Sequence, residues 1–174
     1  MTLSPSFKAL VVSLFFLVLA SYRSVISGLT PPLALTLFYT VLCLNTYYSI
    51  KVFAALTNPW SISQNIIDVL LVIIYSTLAW YLADVSAALT LTVVLFGFAF
   101  IKYVILPPTF PSPQLLFRKK IIDGLGFIGA LIIWFCVIVL HIKEAVWVWT
   151  AGFILVNIYI LWLKPLYVKD LDNI

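Results

Sequence analysis

The stretch IIDVLLVIIYSTLAWYLADVSAALTLTVVLFGFAFIK, residues 66–102, decides what kind of chain this is. Asp68, Asp84 and Lys102 are its only charged residues, and the runs between them are almost wholly aliphatic or aromatic. A bilayer core about 30 Å thick is crossed by roughly 20 helical residues. The stretch therefore reads as two spans meeting at a tight turn beside Asp84.

Working outward, the same reading extends along the chain. Runs at 32–55, 62–83, 86–106, 117–140 and 145–163 each meet the length of a span and are bounded by prolines or charges. A first helix is expected at 7–26, where Lys8 and Arg23 snorkel to the two interfaces. Its rival reading is a cleaved signal peptide, with Val18-Leu19-Ala20 as the cleavage box. The expected fold is all-α: one polytopic transmembrane bundle of about six helices over residues 1–174.

Composition agrees with this class. Hydrophobic residues make up 64% of the chain and charged ones 9%, against about a quarter charged in soluble domains. The net charge of +4 is scattered between apolar spans, so it points to membrane topology and not to nucleic acid. With the amino end inside, Lys8, Lys51, Lys102, Arg118, Lys119, Lys120, Lys164 and Lys169 are cytoplasmic, and only Arg23 and Lys143 lie outside. That bias places both termini in the cytoplasm. Trp80, Tyr81, Trp147 and Trp149 then mark the outer interface, and Trp60, Trp162 and Tyr167 the inner one.

The longest connector, 107–114, reads Pro-Pro-Thr-Phe-Pro-Ser-Pro-Gln and is expected to be a stiff, extended cytoplasmic loop. It leads into Arg118, Lys119 and Lys120, which serve as an orientation lock and as candidate contacts for anionic lipid.

An internal repeat is suggested by Ile66-Ile67-Asp68-Val69-Leu70 and Ile121-Ile122-Asp123-Gly124-Leu125. Together with the lysines Lys51, Lys102 and Lys164 at the ends of even-numbered helices, it suggests three tandem helical hairpins. Ser13 stands where the first hairpin would need an aspartate, which leaves the pattern incomplete.

Asp68 and Asp123 lie one to two turns inside the cytoplasmic end, where an ionised carboxylate normally faces the bundle interior and finds a partner. Lys51, Lys102 and Lys164 are the expected partners. The set reads either as a ring of ion pairs stapling the helix ends or as an ion or proton entry site. Asn45, Gln64, Tyr75 and Asn157 are candidate polar lining, although interhelical hydrogen bonding is the default for such residues. His141 is most simply an interfacial histidine beside Lys143 and Glu144.

Cys43 and Cys136 sit alone in apolar runs and read as packing residues. No metal, cofactor or catalytic motif is found, and an enzyme is not expected. The bland expectation is a non-catalytic membrane subunit or scaffold, packed against lipid, other membrane proteins or its own copies. The alternative is a small ion, proton or solute transporter or channel using Asp68 and Asp123.

Overall fold

A computed structural model describes residues 4–56, 61–106 and 111–163. Six α-helices follow one another: α1 (Pro5–Ser27), α2 (Leu33–Leu56), α3 (Ile62–Trp80), α4 (Val85–Val104), α5 (Pro113–Ile138) and α6 (Ala145–Ile158), the last continued by one π-helical turn, Tyr159–Leu163. All six are long and apolar enough to cross a membrane. The chain is a multi-pass helical membrane bundle. Helices are the natural solution there, because hydrocarbon offers no partner to an unpaired backbone group.

Local chemistry sets the boundaries. Ser4 caps α1, its Oγ accepting from the Phe7 N–H at 3.3 Å, and Pro5 follows where its missing N–H costs nothing. Gly28 ends that helix in the left-handed region, at φ 63°. Asp84 caps α4, with Oδ1 accepting from Ser86 and Ala87 at 3.0 and 3.1 Å. This cap ends α3 at Trp80, short of the expected 83, because the intervening residues make the turn. Helix α5 begins at Pro113 and not at 117, since a proline at the first helical position is pre-organised for the helix. The connector is correspondingly shifted to 105–112, and of the expected loop, residues 107–110 lie outside the described segments.

The principal helix contacts close a ring in the order α1, α2, α6, α5, α4, α3. Three tandem hairpins related by rotation would alternate odd and even helices around such a ring. Each tandem hairpin packs, α1 on α2, α3 on α4 and α5 on α6, but α1 neighbours α3 and α2 neighbours α6, so the three are not arranged by a simple rotation.

The pairing of α4 with α5 is the most extensive. Aromatic rings on each helix lie over glycines of the other: Phe96 over Gly126, Phe100 over Gly124, and Phe127 over Gly97. A β-carbon on Gly126 would meet Phe96 Cδ1 at 2.8 Å, whereas one on Gly152 meets nothing within 4 Å. The small-residue spacing thus serves close approach.

Gly126→Val is therefore expected to lower the thermal midpoint in detergent, by overpacking worth about 1–3 kcal/mol. Gly152→Ala is expected to leave the midpoint unchanged or raise it, through up to about 1 kcal/mol of helix propensity. Fluorescence-detected size-exclusion after heating measures both, and equal midpoints would show that the glycine contacts carry no packing weight.

Candidate functional site

The two ends of the ring are filled differently. Towards the end where α1, α3 and α5 finish, aromatic side chains occupy the middle. Phe38 of α2 lies 4.9 Å from Phe153 and 5.8 Å from Trp149 of α6, and Phe96 of α4 lies 5.9 Å from each of the same two rings. Phe16 of α1 stacks on Tyr75 of α3 at 4.8 Å. Close-packed rings of this kind leave no aqueous path.

Towards the other end, where α1, α3 and α5 begin and α2 and α4 finish, the centre is hollow. A cavity of about 310 Å³ is walled by α1 to α5. Its polar lining is Asn45, Thr46 and Ser49 from α2, Asp68 and Tyr75 from α3, Lys102 and Tyr103 from α4, and Lys119 and Asp123 from α5. Lys8 of α1 stands at its edge, and the remaining wall is aliphatic or aromatic.

The charges inside this end are paired. Lys102 Nζ donates to Asp68 Oδ1 at 2.5 Å, joining α4 to α3. Lys119 Nζ donates to Asp123 Oδ1 at 2.5 Å, an i,i+4 pair within α5. The second pair is the deeper one, with side chains 6% and 4% exposed, against 14% for Lys102 and 51% for Asp68. Tyr103 lies between the two pairs, its ring centroid 5.8 Å from Lys102 Nζ and 5.2 Å from Lys119 Nζ. Cations over an aromatic face are stabilised by the ring quadrupole, the more so when desolvated.

Hydroxyl groups complete the wall. Thr46 Oγ1 donates back to the Leu42 carbonyl, so the 2.5 Å contact with Tyr75 has the phenol donating to Thr46. Ser49 Oγ and Tyr103 Oη are 2.8 Å apart. Asp123 Oδ2 is different: it is buried with no hydrogen-bond partner among the described residues. A carboxylate oxygen sealed in this way is costly unless a donor reaches it.

The sequence expectations divide against this geometry. Asp68, Asp123 and Lys102 come together around one cavity with Asn45 and Tyr75. Lys51 does not line it and makes no ion pair among the described residues, and Lys164 lies outside them. Asp123 takes its partner from its own helix, not from a lysine at another helix's end. Lys119 is accordingly withdrawn from the lipid-facing cluster: it is buried, while Arg118 is exposed and Lys120 half-buried. One turn along α5, Asp123 offers a better electrostatic environment than a headgroup does.

Gln64 shares the face of Asp68 and Tyr75 but reaches across to α4, its Nε2 donating to the Lys102 carbonyl at 3.4 Å. Asn157 bonds back to the Phe153 carbonyl at 2.8 Å, next to the π-helical turn, and does not line the cavity. His141 is exposed in the turn between α5 and α6, at φ 58°. The interior role of Lys119 and the contributions of Tyr103, Thr46 and Lys8 were missed from sequence. The four-residue spacing of Lys119 and Asp123 was the available signal.

No protein-family model, curated protein or solved structure matches this chain. The site therefore has to be interpreted from its own geometry.

Because the deeper pair is almost fully buried, removing one partner strands the other. Asp123→Asn and Lys119→Met are each expected to cost about 3–5 kcal/mol, and the double variant less than the sum of the two. Asp68→Asn, at a half-exposed rim, is expected to cost about 1 kcal/mol or less. Detergent-unfolding midpoints for the four variants check this ordering, and additive losses at Lys119 and Asp123 would contradict the pairing.

Proposed function

We propose that this protein is a small membrane carrier that holds its cargo in the cavity at the lysine-bearing end. The observation behind this reading is the asymmetry of the bundle. Five helices wall a hollow that carries charged and hydroxyl groups, and Phe38, Phe96, Trp149 and Phe153 close the centre beyond it. A smaller cavity of about 190 Å³ lies past that layer at the far ends of α1 and α3, beside Arg23 and Asp84. A charged chamber on one side of a closed aromatic layer suits one state of an alternating-access cycle. A packing scaffold requires no such chamber, and for that reason the carrier reading is preferred to it.

In this proposal the lysine-bearing end is cytoplasmic, as the lysine and arginine count suggests. Cargo binds among Asn45, Ser49, Lys102, Lys119 and Asp123. The aromatic layer then parts while the charged end closes. Both ion pairs can persist through that exchange, because one spans only α3 and α4 and the other lies within α5.

Thiol accessibility in proteoliposomes tests this. With Cys43 and Cys136 replaced by alanine, Ser49→Cys is expected to react rapidly with a membrane-impermeant maleimide from the lysine-bearing side. Ala34 is 2% exposed and lies beyond the aromatic layer. Ala34→Cys is expected to react more slowly, and only from the opposite side, as the carrier visits its other state. An Ala34→Cys that stays unreactive while Ser49→Cys is fully labelled would favour the scaffold.

A further inference from the structure

The cavity has a mouth, and the residues around it indicate what passes through. Lys8 on α1, Ala54 on α2, and Asp68 and Val72 on α3 line the cavity and are all exposed on the surface of the bundle. Helices α1 and α3 are neighbours in the ring, so the opening follows their seam. Val72 lies ten residues after the start of α3 at Ile62, about 15 Å along the axis and near the middle of the span. A mouth reaching that depth faces lipid chains as well as the aqueous surface.

The chemistry of the lining is graded in the same direction. Deeper positions along the seam are apolar, with Val12, Phe16, Leu71 and Val72. Charge is confined to the lysine-bearing end. There Lys8, Lys102 and Lys119 stand against Asp68 and Asp123, leaving one positive charge in excess. Lys8 is exposed and makes no ion pair among the described residues. An occupant that balances this end carries one negative charge. Asp123 Oδ2 is sealed in this state, so an occupant reaches it only as the Asp123 side chain turns toward the cavity, and a neutral hydroxyl suits that role better than an ammonium, because Lys119 already stands against the same carboxylate.

We propose that the cavity takes a singly anionic amphiphile from the surrounding bilayer, with a phosphodiester headgroup bearing free hydroxyls. The phosphodiester lies between Lys8 and Lys102, a hydroxyl answers Asp123, and an acyl chain leaves through the seam past Val72. This assignment rests on the cavity being the carrier's cargo site. Binding is read separately from movement. Failure to bind lipid, with the two-sided cysteine labelling intact, overturns the cargo class alone.

The test is native mass spectrometry of the full chain released from detergent, with dioleoyl-phosphatidylglycerol or dioleoyl-phosphatidylcholine added. The wild type is expected to retain phosphatidylglycerol in preference to phosphatidylcholine. Lys8→Gln, a surface change that leaves the packed core alone, is expected to weaken phosphatidylglycerol retention about fivefold, the loss of one charge at a membrane surface. Lys143→Gln, which removes an exposed charge outside the cavity, is expected to leave retention unchanged. Equal retention of the two lipids overturns the proposal, as does equal weakening by both substitutions, which would mean surface attraction only. Free glycerophosphoglycerol, the deacylated and singly anionic phosphodiester, is the third arm. If it displaces phosphatidylglycerol at comparable concentration, the headgroup alone is recognised, the source is the aqueous phase, and the lipid assignment fails.

Discussion

Hydrocarbon offers no hydrogen-bond partner, and most of the polar groups described in this bundle are arranged around that constraint. The buried exceptions among the described residues are Ser13 Oγ, Gln64 Oε1, Asp123 Oδ2, Trp149 Nε1 and Asn157 Oδ1. Backbone groups are answered inside the helices. Many hydroxyls are answered one turn back: Ser21, Thr40, Thr77, Thr90 and Thr92 each donate to the carbonyl four residues earlier. Used in this way, a serine or threonine becomes almost apolar to its neighbours. Charges have no such local remedy unless a counter-charge lies within a turn or on an adjacent helix. Lys119 with Asp123 uses the first route and Lys102 with Asp68 the second.

Both routes converge on one end of the molecule, and this gives the bundle its polarity. At the other end, large rings from α2, α4 and α6 fill the centre, and glycines on α4 and α5 let those two helices close upon each other's phenylalanines. The charged end cannot be filled in the same manner. A side chain packed hard against Lys102 or Lys119 would have to desolvate it further, and desolvating an ion pair costs more than apolar contact returns. Tyr103 is the side chain that fits, because its ring face is attracted to both cations and its hydroxyl meets Ser49. The hollow and the two ion pairs thus occupy the same end of the bundle.

Much of this was legible in the sequence. Span length and flanking breakers placed all six helices, including α1, where Arg23 rests 4.7 Å from the Trp80 ring as an interfacial cation should. The importance of Asp68, Asp123 and Lys102 followed from the cost of burying charge. Helix order around the ring did not follow, since apolar faces of similar size carry no address. The Ile-Ile-Asp match between Ile66 and Ile121 suggested three hairpins, and α1 with α2, α3 with α4 and α5 with α6 do each pack, but their order around the ring could not be read from it. Lys119 was misplaced for a different reason. In a run of three basic residues, only the rotation of α5 decides which one turns inward, and that rotation is fixed by Gly124 and Gly126 two turns further on.

The polar ties between helices are also uneven, and this bears on how such a cavity would open. Side-chain hydrogen bonds join α2 to α3 through Tyr39 and Tyr75, α2 to α4 through Ser49 and Tyr103, α2 to α6 through Thr150, α3 to α4 through Gln64, and α4 to α5 through Trp134 and Thr90. Helix α1 is held by other means: the stack of Phe16 on Tyr75, the cation of Arg23 over Trp80, and aliphatic packing against α2. Stacking and packing tolerate sliding, whereas a directional hydrogen bond in hydrocarbon must be broken outright before its partners can separate. The helix at the mouth of the cavity is thus tied to its neighbours among the described residues mainly by packing and stacking, and it carries Lys8 at the cavity's edge.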